Sequence, residues 1–304
     1  MLKWHDAPIR RPTARPAGFS FVNRFRISSL RRAFGLTALW LLAAAVFCDP
    51  LAAQGRVEAK YEVTLGGITI GKGNWIVTIG EDDYSSAVTG ATSGIMKAIG
   101  NGNGNASVRG RVAAGQLNPA NYQTSINYGP KNETIHIALA KGNVTDSSIE
   151  PVPPVANDRI AVTDAHRRGV LDPLTGSLLY VAGTGDPVGP DACHKTTSVF
   201  DGRMRYDLRL EYRRMERITF SKGGYQGPVV VCGVYFTPLS GYVPGRYAIK
   251  YLTEQRDMEI AFAPIAGTRI LAPIRMKIPT PIGTGLVEAT EFSTATLARA
   301  AKTN

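Results

Sequence analysis

The chain has 304 residues, of which 44% are hydrophobic, and this is enough for one large domain or two small domains with a packed core. Its 32 glycines and 19 prolines are many for a helical protein but ordinary for a β-rich protein with many turns. The formal net charge of +11 does not by itself indicate a nucleic-acid-binding protein, because residues 1–53 hold eight of the basic residues and two of the acidic ones. The rest of the chain has 27 basic and 22 acidic residues, a net charge of +5.

The first 53 residues have the order of parts found in a secretory leader. A basic stretch ends at Arg31 and Arg32, and the uncharged apolar stretch Ala33–Phe47 and a cleavage zone of small residues follow it. We therefore predict a signal peptide over residues 1–53, cleaved after Ala53, and a periplasmic mature protein without a membrane span. The apolar stretch is shorter than the about 20 residues of a membrane-spanning helix, so an uncleaved anchor is the less favoured alternative. The arginine pair leaves the twin-arginine export route open beside the general secretory route.

The cysteines predict one disulfide. Cys48 lies in the predicted leader, so the mature chain keeps Cys193 and Cys232. An even number of cysteines in an oxidising compartment favours a bond between them, which closes a loop of about 40 residues. Two alternatives are weaker: Cys193 beside His194 could act as a nucleophile, or the pair could bind zinc. Neither has a supporting motif, so we expect no catalytic residue, no metal site and no cofactor.

Most segments after residue 55 alternate apolar and polar residues with the period of a β-strand. Gly66–Gly67 predicts a hairpin turn, and the apolar positions change parity between Ile70 and Trp75, which indicates a bulge. The segment NGNGN at residues 101–105 is typical of a turn, and it matches neither a phosphate-binding nor a calcium-binding loop.

The middle of the chain differs from this pattern. We predict a loop-and-helix insertion at about residues 150–192, in which Asp172 caps a short helix that begins at Pro173. The segment VFDGRMRYDLRL at residues 199–210 then predicts a turn at Asp201–Gly202 and a long strand. Its arginines alternate with carboxylates, and its aromatic residues fall on the other face. A strip that binds nucleic acid would instead combine basic residues with exposed aromatics, so we expect no nucleic acid partner.

The C-terminal part again predicts strands, which we place in YQGPVVVCGVYF, DMEIAFAP, TRILAPIRMKIPT and TGLVEATEF. The fold class is therefore mainly β, with one large curved antiparallel sheet, an open barrel or spiral, and a short helix covering one face or end. Residues 56–292 form the predicted β-rich domain, and residues 293–304 are predicted to be a disordered tail.

The sequence contains no GxSxG, HExxH or phosphate-binding motif. Hydrolases can nevertheless use scattered carboxylates, and four residues are candidates for that chemistry. They are Glu211, Glu216, Asp257 and Glu259. Each is more simply explained as a solvated strand or turn residue, so we do not expect an enzyme.

The order of five segments resembles a known bacterial family. YEVTLGGITIGKG, LDPLTGSLL, VFDGRMRYDLRL, YQGPVVVCGV and APIAGTRILAPIRMKIPTPIG follow one another as in the exported family of domain of unknown function 3108. The resemblance covers about residues 56–292. The chain is also distantly similar to periplasmic envelope-integrity proteins of alphaproteobacteria, which form an open, spiral β-structure with a disulfide. The resemblance implies a periplasmic β-protein and no named reaction, and it supplies no catalytic residues.

One-sided strands that curve around a helical insertion would leave a concave apolar surface. We therefore expect a non-enzymatic periplasmic protein that supports cell-envelope integrity by binding a lipid, a lipoprotein acyl chain or an envelope protein partner. The alternative is a periplasmic hydrolase that acts on an envelope polymer through scattered carboxylates.

Overall fold

The computed structural model describes residues 54–94, 100–154, 157–220 and 224–298. The predicted leader, with Cys48, lies outside these residues, and so do residues 299–304 of the predicted tail. All structural statements below concern the described parts of the chain.

Fourteen strands form one antiparallel sheet, which confirms the predicted fold class. They are β1 Gly55–Leu65, β2 Ile68–Ile79, β3 Asp83–Thr92, β4 Gly102–Ala113, β5 Gln116–Tyr128, β6 Lys131–Ala140, β7 Asn143–Glu150, β8 Leu179–Tyr180, β9 Thr196–Phe200, β10 Arg205–Thr219, β11 Gln226–Ser240, β12 Glu259–Pro264, β13 Ile270–Thr280 and β14 Gly283–Thr296.

The strand order is β7-β6-β5-β4-β3-β2-β1-β14-β13-β12-β11-β10-β9, and β8 pairs only with β13. The two edge strands, β7 and β9, do not pair with each other, so the sheet is open. The segment between them bridges the gap: the Val170 N–H donates to the Gly142 carbonyl (2.8 Å), and the Leu171 N–H donates to the Ser198 carbonyl (2.9 Å). The sheet is thus curved enough to bring its two edges within one chain width of each other at this point.

The first hairpin forms as its sequence predicts. Gly66 and Gly67 make a two-residue turn with φ of 55° and 83°, values that glycine adopts without steric penalty. The register between β1 and β2 then shifts, because Thr64 pairs with Thr69 but Val63 pairs with Gly71. Ile70 is the extra residue, and this bulge is the predicted change of parity.

Two sequence interpretations need correction. The segment NGNGN is not a turn, because residues 102–113 form β4, in which the asparagines are exposed and the glycines alternate with them. Residues 293–296 do not belong to the predicted tail either, because β14 continues to Thr296 and pairs there with the start of β1. In both places long-range pairing supplies the strand partner that the local sequence does not reveal.

Two groups of buried apolar residues lie on opposite faces of the sheet. The larger group fills the inner face, and its fully buried members include Val57, Val77 and Val108. The smaller group surrounds Cys193 and Cys232. Strand β11 serves both groups, since Val229 and Val231 belong to the first and Val230 and Cys232 to the second. This two-sided burial explains the uninterrupted apolar run VVVC.

Two α-helices accompany the sheet: α1, Pro173–Gly176, and α2, Tyr247–Glu254. Helix α1 begins as predicted, because the Asp172 carboxylate accepts hydrogen bonds from the N–H groups of Leu174 (3.0 Å) and Thr175 (3.1 Å). It packs against β4, β5 and β9. Helix α2 joins β11 to β12 and has no buried residue. No helix in the described residues has the length and apolar character needed to cross a bilayer.

The long charged strand is β10, and its charges offset one another as its sequence suggests. Arg205 pairs with Asp207 and Arg209 with Glu211, each two residues apart on one face. The register shifts between Tyr212 and Arg214, so the predicted alternation ends there. Arg214 continues the pattern with an ion pair to Glu216 (2.7 Å).

Candidate functional site

A cavity of about 650 Å³ lies against the inner face of strands β1–β5. It occupies the half of the sheet where β1, β3 and β5 end and β2, β4 and β6 begin, which we call the mouth end. In the other half, the inner face is filled by buried side chains such as Ile79, Tyr84 and Tyr122. The curved sheet is therefore a cup that is packed at its base and empty toward its mouth.

Glycines on three neighbouring strands create this empty space. Gly73 of β2 pairs with Gly90 of β3, and Gly90 pairs with Gly104 of β4, so three glycines form one row across the sheet. Gly71 and Gly102 lie two residues further toward the mouth and also line the cavity. All five occupy inward positions of their strands, and because a glycine has no side chain, the sheet face is bare where it would otherwise be packed.

The cavity floor is aromatic, and its polar atoms point into the protein. The rings of Tyr61 and Trp75 lie 6.4 Å apart between centroids. The Tyr61 hydroxyl donates to the Pro273 carbonyl (2.6 Å), and the Trp75 Nε1–H donates to the hydroxyl of buried Ser86 (2.7 Å). Burial raises the pKa of Tyr61 far above its usual value, so this hydroxyl stays neutral. The two residues thus present apolar ring surface to the cavity.

The hydroxyl groups of the walls are likewise engaged with the backbone. Thr124 Oγ1 donates to the Asn105 carbonyl (3.0 Å), and Ser177 Oγ donates to the Leu174 carbonyl (2.7 Å). Thr92 Oγ1 accepts from the Gly102 N–H (3.0 Å). Their hydrogen-bonding capacity is therefore largely used within the protein, and the walls present mainly methyl and methylene groups.

The remaining wall comes from α1 and from the strands beyond β1. Leu174 of α1, Met276 of β13 and Val287 of β14 face the cavity. The position of Leu174 depends on the cap of α1, because Asp172 fixes the start of that helix. The Tyr84 hydroxyl also contacts the Thr175 hydroxyl (2.6 Å), which ties α1 to β3.

Asp172 is fully buried, and one of its carboxylate oxygens, Oδ2, has no hydrogen-bond partner in the described structure. Burial raises the pKa of this carboxyl above its usual value, although the hydrogen bonds from Thr175 and Leu174 oppose the shift. The folded state therefore holds the proton more tightly than the unfolded state. The contribution of the Asp172 carboxyl to the free energy of unfolding therefore falls as the pH rises from about 3.9, the ordinary pKa of an aspartate, through its raised pKa in the folded state.

The variant Asp172→Asn should remove this pH dependence while keeping an oxygen to cap α1. We expect the free energy of unfolding of the variant, measured relative to the wild type by urea titration, to increase from about pH 4 to neutral pH. Asp172→Ala is the control, because it removes the cap together with the carboxyl: it should follow the same trend with pH as Asp172→Asn and be less stable than Asp172→Asn by about 1 kcal/mol across that range. A constant difference between Asp172→Asn and the wild type at all pH values would show that the carboxyl titrates normally.

The predicted site residues Cys193 and Cys232 form a disulfide with a Cα–Cα distance of 5.5 Å. Both cysteines are completely buried in the smaller apolar group, and neither lines the cavity. The bond joins the end of the 3-10 helix Pro190–Cys193 to the centre of β11. Its place in the fold is structural, because it fastens the segment that covers the outer face of β10–β13.

The four candidate carboxylates do not meet in the cavity. Glu216 accepts from Arg214 and Arg275, and Glu259 accepts from Arg214 (2.7 Å and 3.0 Å). The hydrogen bonds from Arg214 hold the pKa of Glu259 below its usual range. Burial opposes ionisation of Glu216, but its two arginine partners outweigh that effect and also lower its pKa.

Glu211 is partly exposed, and hydrogen bonds from Arg209 and Tyr235 lower its pKa. Asp257 is exposed. Among the described residues that line the cavity there is no Asp, Glu or His. No group of three or more His, Cys, Asp or Glu side chains in the described structure could hold a metal ion.

The sequence predicted a concave apolar surface but not which residues line it. The available signal was the set of glycines at alternate positions, 71 and 73 on one strand and 102 and 104 on another. Each pair marks a strand whose inward face is bare at the mouth end. What the sequence does not reveal is that these pairs and Gly90 lie side by side, since that depends on the register of three strands.

Comparison with known proteins identifies the family. The profile of the family described as "Protein of unknown function (DUF3108)" matches residues 60–290, which confirms the resemblance. A similar solved structure is a β-barrel-like protein of domain of unknown function DUF1849 from Brucella abortus, with a TM-score of 0.44 and 8% sequence identity. The match covers 80% of this chain and 98% of that chain. No curated protein matches the sequence. The chain belongs to the DUF3108 family of proteins of unknown function.

Proposed function

We propose that this protein is an exported, non-enzymatic protein of the bacterial cell envelope that binds the hydrocarbon chain of a lipid-like ligand in its cavity. The observation that carries the proposal is the apolar lining, in which bare glycine backbone, aromatic rings and aliphatic side chains replace the usual core. A volume of about 650 Å³ lies within the range of about 300–1,000 Å³ found for ligand pockets.

The lining favours a hydrocarbon chain over a polar ligand. A sugar or nucleotide needs unpaired donors and acceptors at fixed positions, whereas the hydroxyls of Tyr61, Thr124 and Ser177 already bond to the backbone. Each methylene that leaves water for such a lining contributes about 0.8 kcal/mol. A chain of several methylenes can therefore bind without any specific polar contact.

The disulfide supports placing this function outside the cytoplasm, because such bonds form and persist in oxidising compartments. The predicted leader over residues 1–53 agrees with export to the periplasm. The hydrocarbon chain could belong to a free lipid or to an acylated protein, and both sources exist in that compartment. Retaining such a chain in a water-filled space is one way to support the integrity of the envelope.

Native mass spectrometry of protein purified from the periplasm without detergent tests the proposal. We expect a mass that exceeds the polypeptide mass by that of a lipid and returns to the polypeptide mass after extraction with organic solvent. An acylated protein partner would instead add a protein-sized mass. Only bare polypeptide, in a preparation never exposed to detergent, would contradict the proposal.

A further inference from the structure

Exposed apolar residues concentrate at the mouth end of the cup. Twelve large hydrophobic residues of the described structure are exposed, and nine of them lie in or beside the connections at this end. We call these nine residues the rim: Ile68, Ile126, Tyr128, Val152, Ile160, Leu239, Tyr247, Ile278 and Ile282. Such a concentration marks an interaction surface, because scattered exposed residues would fall on both ends of the sheet alike.

Contacts between neighbouring connections arrange the rim around the mouth. The turn at Gly66 bonds to the β13–β14 hairpin, since its N–H donates to the Thr284 carbonyl (3.0 Å). The segment at Ile160 bonds to the β11–β12 connection through the N–H and carbonyl groups of Ile160 itself (both 2.8 Å).

Another contact joins two connections on the other side of the mouth. Arg203, in the β9–β10 turn, forms an ion pair with Glu133 at the start of β6. Two rim residues, Ile126 and Tyr128, line the cavity itself. The rim is therefore continuous with the cavity.

Three of the four most exposed rim residues lie in or beside the turns and loops of different connections. Val152 is 85% exposed, Ile282 is 77% exposed and Ile68 is 57% exposed. A protein partner would have to match apolar tips on several different connections, whereas a lipid surface accepts apolar tips wherever they project. This geometry favours a membrane surface as the occupant of the rim.

Helix α2 adds the side chains typical of a membrane interface. Tyr247 and Tyr251 lie on one side of it with ring centroids 6.0 Å apart, and Tyr247 is 66% exposed. Tyrosines are enriched where hydrocarbon meets water, and lysine and arginine extend their charges from there to lipid headgroups. Helix α2 and its flanks carry Arg246, Lys250 and Arg256 against Glu254 and Asp257, a surplus of one positive charge.

We propose that the rim docks on the surface of a lipid bilayer, with the cavity mouth facing the lipid, so that a hydrocarbon chain can pass between the bilayer and the cup. The small positive surplus makes apolar insertion the main contribution and attraction to anionic lipid a minor one. The docking goes beyond the proposed function, and each can fail without the other.

Flotation with lipid vesicles tests the docking. The rim variant carries Ile68→Ser and Ile282→Ser, two exposed residues on adjacent hairpins that do not line the cavity. The matched control carries Ile76→Ser and Met215→Ser, which are exposed (40% and 39%) but lie within strands away from the mouth end. All substitutions are at exposed positions, so stability should change little.

We expect the wild type and the control to float with vesicles of phosphatidylethanolamine and phosphatidylglycerol, and the rim variant to bind at least about tenfold more weakly. The wild type should bind vesicles of phosphatidylcholine alone only modestly more weakly than the vesicles that contain phosphatidylglycerol. In the absence of vesicles, all three proteins should bind a fluorescent acyl-chain probe equally, which separates docking from cavity binding.

Two results would overturn the docking proposal. In one, the wild type fails to float with either kind of vesicle or floats no better than the rim variant. In the other, the wild type forms a dimer through the rim: the rim variant does not form this dimer, and adding vesicles does not dissociate it. Failure of the wild type to bind the acyl probe, with flotation intact, would refute the proposed ligand instead.

Discussion

Replacing both Cys193 and Cys232 by alanine is expected to lower the free energy of unfolding by about 4 kcal/mol. The two residues are 39 positions apart, and the chain-entropy model assigns a stabilisation of that size to a loop of this length. Loss of the two sulfur atoms, which are completely buried beside Leu210, Val230 and Phe262, adds to the effect.

Urea unfolding with and without a thiol reductant checks this result. Reductant should shift the wild type toward the double variant and leave the double variant unchanged. The double variant should keep its affinity for an acyl-chain probe, because the disulfide fastens the outer face of the sheet and not the cavity. A wild type whose unfolding is insensitive to reductant, or whose two thiols react freely, would contradict the disulfide.

Gly90→Leu is expected to weaken binding of an acyl-chain probe by more than about tenfold. A Cβ atom at Gly90 would lie 3.6 Å from the nearest atom, the Lys72 carbonyl oxygen, so a side chain fits there without moving the backbone. That side chain would enter the cavity and displace ligand. Displacing two methylenes alone costs about 1.6 kcal/mol, and a tenfold change in affinity corresponds to about 1.4 kcal/mol.

The neighbouring glycine shows why Gly90 is the suitable position. A Cβ atom at Gly73 would lie 2.8 Å from the Thr89 carbonyl oxygen, so a side chain there would disturb the pairing of β2 with β3 as well as the cavity. Ala87→Leu is the matched control, because it adds similar apolar bulk to the same strand on the exposed outer face and Ala87 does not line the cavity. It should leave probe binding unchanged.

The strands and turns of this protein could largely be predicted from local sequence, because each depends on neighbouring residues. The Gly66–Gly67 turn, the bulge at Ile70 and the cap of α1 at Asp172 are all of this kind. Each requires a backbone shape or a hydrogen bond that only a few residue types provide, so the signal is strong within a few positions.

The errors arise where distant partners decide the structure. Local sequence marks residues 101–105 as a turn because glycine and asparagine favour turns. Pairing with β3 and β5 makes the segment a strand instead. Helix α2 was not predicted because its eight residues are too few to establish a helical period between two strand-like segments.

The cavity could not be predicted because it depends on both register and curvature. Gly73, Gly90 and Gly104 form a row only when three strands pair with one particular alignment. The opposite wall, Met276 and Val287, reaches the same space only because the sheet curves through its other strands. Composition reveals that glycines are available, and only the assembled sheet reveals that they leave a space.

Titration of the wild type, Gly90→Leu and Ala87→Leu with a fluorescent acyl-chain probe tests most directly whether the cup is a binding site. We expect saturable binding of one probe per chain to the wild type and to Ala87→Leu, and binding more than about tenfold weaker to Gly90→Leu. Equal binding to all three proteins, or no saturable binding to the wild type, would contradict the assignment of the cavity as the ligand site.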